Sequence, residues 1–249
     1  MNPTDRVFVE VLIAAPIDTV WKAMRDPQEI ARWFGWNYPT LAAEIDMIFI
    51  EGFEVDEATH TLKSAHFPDR CVLDAFGDYT IVRMIRSAPA TDKTWQGIYD
   101  DAVNDWLVFI EQLRFFLTRH KGADRRTLFL NGRVPSPDVA PPIEALGLTR
   151  LAVVPTGSRY SVKTAMGDTL EGEVWFRSGN QIGLTVDAWG DGLLIISTRP
   201  VTAKSQYGGG KIVITTYGLD QPTQAALQAR WSEWWRSRYD VIEIQPAEA

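Results

Sequence analysis

Two long amphipathic patterns constrain the fold of this chain more than any other feature of its sequence. The first covers about 100–120 and repeats large apolar residues three and four positions apart, which predicts a helix with one apolar face. The second follows Asp220, a good helix-capping residue, and carries Trp231, Trp234 and Trp235. Each apolar face has to be covered by another layer of structure.

Short runs rich in β-branched and aromatic residues precede each long pattern, and turn residues such as Gly52 and Gly77 separate them. In the first half these runs are 6–13, 47–50, 70–73 and 79–85. In the second half they are 127–130, 160–162, 172–177, 182–186, 193–198 and 212–217. Sequential strands joined by short turns predict antiparallel sheets, and strands followed by a helix predict an α+β fold.

The order of strand, short helical segment, several strands and long helix occurs twice, which predicts an internal repeat of about half the chain. The polar segment 121–126 is the best candidate linker. We therefore predict two tandem domains, 1–121 and 122–249. The helical segment 143–148 is too short to replace both small helices of the first half, so the second domain is predicted to be a trimmed or degenerate copy.

Composition and charge exclude several classes of function. The chain has 25 Lys plus Arg against 32 Asp plus Glu, a net charge of −7, which argues against nucleic-acid binding and against attraction to anionic membranes. No apolar run approaches the roughly 20 residues of a membrane helix. The one cysteine, Cys71, has no intramolecular partner, which favours a cytoplasmic location.

The opening segment resembles a known family. Ala15-Pro16, Val20-Trp21, Asp26-Pro27 and Trp33-Phe34 stand at spacings similar to those of START-like helix-grip proteins of the SRPBCC superfamily. The most similar branch is the "activator of Hsp90 ATPase homologue 1-like" group, which includes polyketide-cyclase-like proteins. The resemblance covers about 6–121. It implies a curved antiparallel sheet wrapped around a long C-terminal helix, with space for an apolar ligand between them.

The resemblance also implies ligand-binding residues in the first domain. Trp33, Phe34 and Trp36 correspond to the region near the cavity mouth; an alternative role for them is to clamp the small helices onto the sheet. The stripe of the long helix would form the cavity wall. Its predicted ligand-binding members are Trp106, Phe109, Ile110 and Leu113. The three tryptophans of the second long helix are predicted to lie in the core or at an interface between the domains.

Residues that could carry out catalysis are few. The chain has three histidines and one cysteine, too few for a convincing metal site, and no Gly-x-Ser-x-Gly nucleophile motif. Asp100, Asp101 and Asp105 fit the start of a helix, where the dipole favours acidic groups. Glu10, Glu44 and Asp46 could face a cavity, but the sequence does not decide this. We therefore assign no catalytic residue, cofactor or metal.

Three functions remain open from the sequence. The main prediction is binding of a small hydrophobic or aromatic ligand in the first domain, with no chemistry. The alternative is an enzyme resembling polyketide cyclases or aromatases, which would position a reactive chain beside acid–base groups. A further alternative is a protein-interaction module resembling activators of the Hsp90 ATPase. Such a module would bind a protein partner or form a homodimer.

Overall fold

The computed structural model describes residues 5–87, 93–202 and 205–243, with the backbone alone over 93–103. The chain divides into two compact units, Met1–Ala123 and Asp124–Ala249. Each unit contains one antiparallel sheet followed by a long helix, so the predicted α+β class and its repeated arrangement are confirmed. Within the described residues, no helix has the length and apolar character needed to span a bilayer.

The first unit has a five-stranded sheet of order β1-β5-β4-β3-β2. A group of short helices separates β1 from β2, and one long helix follows β5. The elements are β1 Arg6–Ile13, α1 Ile17–Arg25, α2 Pro27–Ile30, α3 Leu41–Ile45, a π-helix Asp46–Glu51, β2 Phe53–Asp56, β3 Thr61–Ser64, β4 Asp69–Phe76, β5 Tyr79–Arg86 and α4 Lys93–Arg119.

Alternation along β1 shows which sheet face is covered. Val9, Val11 and Ile13 are buried, whereas Glu10 between them is exposed and pairs with Arg83 on the outer face. The covered face belongs to the same core as the buried face of α4, and α4 packs against β1. The inward-facing residues of β1 and the apolar stripe of α4 therefore pack together in one apolar layer, as the sequence predicts.

The start of α4 differs from the sequence prediction. The helix begins at Lys93, so Asp100 and Asp101 do not stand in its first turn, and neither does Asp105. The explanation of these acids by the helix dipole is therefore wrong, because the dipole acts within the first turn. The side chains of Asp100 and Asp101 lie outside the described residues.

The sequence predicts two acidic caps for the short helices, Asp18 before Val20 and Asp26 before Pro27, and the structure has only the second. Asp26 caps α2 as predicted: its side chain accepts a hydrogen bond from the Gln28 amide at 2.9 Å, and Pro27 stands at the first helical position. Asp18 does not cap α1. That helix begins two residues earlier than such a cap would give, at Ile17, since the Pro16 carbonyl already accepts hydrogen bonds from the amides of residues 19 and 20.

The run 47–50, predicted as a strand, is helical. It lies in a π-helix that continues α3. Leu41, Ile45 and Phe49 are buried at a spacing of four residues, which is the period of a helix and not of a strand. Burial on one helical face has overridden the β preference of the local sequence. Gly52 follows the π-helix; a side chain there would meet the carbonyl oxygen of Ile48 at 2.7 Å.

The second unit has a seven-stranded sheet of order β12-β6-β11-β10-β9-β8-β7. Only short helical segments separate its first two strands. The elements are β6 Arg125–Arg133, α5 Pro142–Ala145, a 3-10 helix Thr149–Val153, β7 Arg159–Lys163, β8 Thr169–Arg177, β9 Gln181–Val186, a 3-10 helix Asp187–Trp189, β10 Gly192–Arg199, β11 Gly209–Tyr217, α6 Gln221–Arg236 and β12 Asp240–Val241.

Both units use one topological scheme, which supports the predicted repeat. In each, the first strand pairs antiparallel with the last strand before the long helix: β1 with β5, and β6 with β11. The trimming of the second copy is confined to its helices, since its sheet has more strands than the first. Asp220 caps α6 by accepting a hydrogen bond from the Thr223 amide at 2.7 Å.

The interior of the second unit is filled by large side chains. Trp231, Trp234 and Trp235 of α6 all belong to its core, with Leu146 and Leu148 from the segment between β6 and β7. The Trp235 ring lies 4.4 Å from the ring of Tyr239, centroid to centroid. The core role predicted for the three tryptophans is therefore confirmed.

Candidate functional site

Eight aromatic rings of the first unit form a continuous group in which each ring lies near at least one other. We call this group the aromatic cluster. Its members are Trp33, Phe34, Trp36, Tyr38, Phe49, Phe53, Trp106 and Phe109. Many pairs are edge-to-face or tilted, arrangements in which a ring edge faces the negative face of its neighbour.

The segment after α2 supplies the first rings of the cluster. The backbone turns back after Ile30, whose carbonyl accepts hydrogen bonds from the amides of Trp33 and Phe34 at 3.0 and 2.8 Å. The Trp33 indole donates to the Ala23 carbonyl in α1 at 2.9 Å. Both rings are thereby directed inward, at 0% and 2% exposure respectively.

Phe49 stands at the centre of the cluster, although the sequence analysis did not select it. Its ring centroid lies 4.9 Å from that of Phe34, 5.6 Å from that of Trp33 and 6.3 Å from that of Trp106. The π-helix directs it inward with no exposed surface. Phe49 stands four residues from Ile45 and eight from Leu41, but this spacing indicates one buried helical face only once the burial of the three residues is known.

The long helix α4 supplies the opposite side of the cluster. The Phe109 ring lies 4.6 Å from that of Phe34, 6.4 Å from that of Trp36 and 6.0 Å from that of Trp106. Ile110 and Leu113 lie in the same core with no exposed surface. The structure thus places all seven predicted residues in one region of the first unit.

Burial divides these seven residues into two groups. Trp33, Phe34, Ile110 and Leu113 are buried by the protein itself. The other three are only half-buried and retain accessible ring surface: Trp36, Trp106 and Phe109. Two of the half-buried rings rest directly on buried ones: Phe109 packs on Phe34, and Trp106 packs on Phe49. Trp36 contacts Phe109, which is itself half-buried.

Polar side chains on α4 and α3 differ in their burial and pairing. Gln112, one helical turn or less from Phe109, is buried and donates to the Gly35 carbonyl at 3.3 Å. Of the three acids considered as cavity groups, Glu10 and Asp46 are exposed. Glu44 on α3 is half-buried, and desolvation raises the pKa of its carboxyl group.

Two further candidates for chemistry, His60 and Cys71, each have the surroundings of a structural side chain. The His60 ring packs edge-on against Trp21 at 5.2 Å, and its Nε2 is 4.0 Å from an Asp18 oxygen. Cys71 is buried in the core, where desolvation raises the pKa of its thiol to about 12. Over the described parts of the chain, no three His, Cys, Asp or Glu side chains converge as metal ligands would.

The chain is similar to known proteins in structure, but its sequence matches none of the known families. No family model matches the chain, and no curated protein sequence matches it. The resemblance to the Hsp90-activator-like branch therefore stays a prediction.

Three solved structures are similar over most of the chain. BexL, a di-domain ARO/CYC from the BE-7585A biosynthetic pathway, is 14% identical over 94% of this chain and 93% of its own, with a TM-score of 0.34. StfQ, a di-domain ARO/CYC from the steffimycin biosynthetic pathway, is 11% identical over 90% of each chain, with a TM-score of 0.30. DynU16, from the dynemicin biosynthetic locus, is 15% identical over 93% and 94%, with a TM-score of 0.29.

Proposed function

We propose that the first unit binds a small apolar or aromatic molecule on the accessible ring surfaces of Trp36, Trp106 and Phe109. The observation that carries this proposal is the half-burial of these three rings, two of which, Trp106 and Phe109, pack on fully buried rings. Such rings present an apolar surface whose position is fixed before a ligand arrives. Binding then costs little side-chain ordering, which is the advantage of a preorganised site.

The buried members of the site have a supporting role in this proposal. Trp33 and Phe34 hold the rings behind the binding surface, while Ile110 and Leu113 join α4 to the sheet. Transfer of apolar surface from water contributes roughly 25 cal/mol per Å². A flat hydrophobic ligand could therefore bind with useful affinity without a charged anchor.

Native mass spectrometry of the purified protein, followed by denaturing extraction, is the direct test for a retained molecule. Binding strength is then measured with N-phenyl-1-naphthylamine, a neutral fluorescent probe of apolar sites. We expect Phe109→Ala and Trp106→Ala to bind the probe about tenfold more weakly, which corresponds to about 1.4 kcal/mol.

Phe8→Ala is the matched control, because Phe8 is a half-buried ring of the same unit that packs against the Arg86 guanidinium at 5.0 Å. Each variant is compared at a temperature where circular dichroism shows it folded. Equal probe affinity in the parent, in both site variants and in the control would contradict the proposed site.

A second candidate function is a cyclase- or aromatase-like enzyme, the class of activity that ARO/CYC denotes in the descriptions of BexL and StfQ. The feature that favours it in this chain is Glu44, whose pKa is raised by burial. A carboxyl group whose pKa is raised by burial is a candidate for acid–base catalysis. The α3 helix that carries it also sends Leu41 and Ile45 into the core that contains the aromatic cluster.

The enzyme function is tested with a linear poly-β-ketone followed by mass spectrometry. Ring closure with aromatisation removes water, so the product is lighter than the substrate by whole water molecules. We expect protein-dependent loss of water that is absent in Glu44→Gln, while that variant still binds N-phenyl-1-naphthylamine. If the parent binds the substrate but does not convert it, ligand binding remains as the proposed function and the cyclase activity is excluded for that substrate.

A further inference from the structure

A groove of about 340 Å³ runs along one flank of α6 in the second unit. Its walls come from three separate segments: the start of β8, the 3-10 helix between β9 and β10, and α6 itself. The volume lies within the range of small-molecule sites. None of its residues belongs to the aromatic cluster of the first unit.

The helical wall of the groove is one stripe of α6. Thr223, Ala226, Leu227 and Arg230 are three or four residues apart and share a helix face. Ala226 is exposed and small, so little side-chain bulk stands at the centre of this wall. The groove is open at that point because a methyl group stands where a longer side chain would fill the space.

Two indole rings form the base of the groove. Trp189 and Trp231 are both buried, with centroids 5.6 Å apart and ring planes at 84°. Gly190 fixes the turn that carries Trp189: it has a φ of +67°, and a Cβ atom there would lie 1.9 Å from the Tyr217 carbonyl oxygen. The two indoles give the base of the groove an aromatic character, which suits an aromatic occupant.

One rim of the groove is closed by an ion pair. Arg230 lies 2.9 Å from an Asp168 oxygen, and the same guanidinium donates to the Met166 carbonyl at 2.8 Å. The pair is neutral in sum and offers both N–H donors and carboxylate acceptors. A charged ligand would be attracted by one partner and repelled by the other, so its charge gains little, whereas a hydroxyl group can accept from Arg230 and donate to Asp168.

We propose that this groove is a second binding site, for an uncharged aromatic alcohol. The aromatic body would lie against Trp189 and Trp231, and the hydroxyl group would lie at the Arg230–Asp168 rim. The proposal goes beyond ligand binding by the first unit and does not depend on it.

The probe is 2-naphthol, titrated into full-length protein labelled with 5-fluorotryptophan and followed by ¹⁹F NMR. The Trp189 signal is assigned by its loss in Trp189→Phe, and the Trp36 signal by its loss in Trp36→Phe. We expect saturable movement of the Trp189 signal. We also expect naphthalene-2-sulfonate, which has the same rings but a negative charge, to bind about tenfold more weakly.

Two neighbouring alanines give a matched pair of variants. Ala226 lines the groove, whereas Ala225 is equally exposed on α6 but does not. We expect Ala226→Phe to weaken 2-naphthol binding about tenfold, and Ala225→Phe to leave it within about twofold, since that ring points elsewhere. Equal loss in both variants, or no loss in either, would overturn the proposal.

The two sites are distinguished in the same titration. Movement of the Trp189 signal without the Trp36 signal supports the groove even if the first-unit site is absent. Movement of Trp36 alone, or tighter binding of the sulfonate than of 2-naphthol, overturns the groove proposal and leaves the first-unit proposal standing.

Discussion

The Trp33 indole nitrogen donates a hydrogen bond to the carbonyl oxygen of Ala23, ten residues earlier, at 2.9 Å. Ala23 is among the last four residues of α1, whose carbonyls lack partners within the helix. The bond therefore satisfies a buried acceptor and joins the end of α1 to the segment that carries Phe34. Trp33 and Phe34, one of the pairs on which the family resemblance rests, thus have a structural role, since this hydrogen bond fixes their segment to α1.

Replacing Trp33 with Phe is expected to destabilise the first unit by about 1–3 kcal/mol, because the Ala23 carbonyl would remain buried without its donor. Urea unfolding monitored by circular dichroism measures this loss. Trp106→Phe provides the comparison, since Trp106 is only half-buried. A cost for Trp33→Phe no larger than that for Trp106→Phe would show that the hydrogen bond contributes little.

Cys71 is expected to be unreactive in the folded protein. It is 1% exposed, and burial raises the pKa of its thiol to about 12, so very little reactive thiolate exists at pH 8. Ellman's reagent should therefore label it only as fast as the first unit opens, and at once in 6 M guanidinium. Rapid labelling of the native protein at pH 8 would mean that β4 is accessible.

Gly190→Ala is expected to disrupt the second unit more than an ordinary substitution of a left-handed glycine. Gly157 also has a positive φ, +86°, but has nothing within 4 Å of an added Cβ, so Gly157→Ala should cost only about 1–2 kcal/mol of backbone strain. At Gly190 the same strain is joined by overlap with the Tyr217 carbonyl oxygen. Urea midpoints of the two variants decide this; similar midpoints would contradict the close approach.

Glu44→Gln is expected to stabilise the protein at pH 7 but not at pH 4. Desolvation raises the pKa of Glu44 above its usual value of 4.5 in the folded state. Between the unfolded and folded pKa values the folded state binds more protons, so stability falls as pH rises through this window. Glutamine does not ionise, so it removes the free-energy cost of burying a charged carboxylate. Melting temperatures at both pH values test it, with the exposed Glu51→Gln as the control.

Some elements of the fold could be predicted from the sequence and others could not, and the difference has a physical cause. The long helices were predictable because their apolar residues repeat with helical period over several turns. The 47–50 segment was not, because Ile48 and Ile50 resemble a strand locally while Ile45 and Phe49 reveal the helix only when burial is known. Local preference and tertiary packing disagreed there, and packing prevailed.

The sites show the same division. Trp33, Phe34 and Trp36 adjoin one another in sequence, and the α4 residues share one stripe, so their gathering in one region could be expected. Phe49 joined them only through the π-helix. The groove of the second unit could not be predicted, because its walls come from segments around 168–170, 187–189 and 223–231, which only the tertiary fold brings together.

Pairing of the first strand with the last has a consequence for synthesis. Val11 meets its sheet partner only at Val82, and Thr127 meets Thr215. While a ribosome makes either unit, the opening strand must wait for nearly the whole unit before its backbone finds a partner. Contacts so distant along the chain slow folding and leave apolar edges exposed meanwhile. Expression yield in cells should therefore depend strongly on temperature and on chaperones that hold nascent chains.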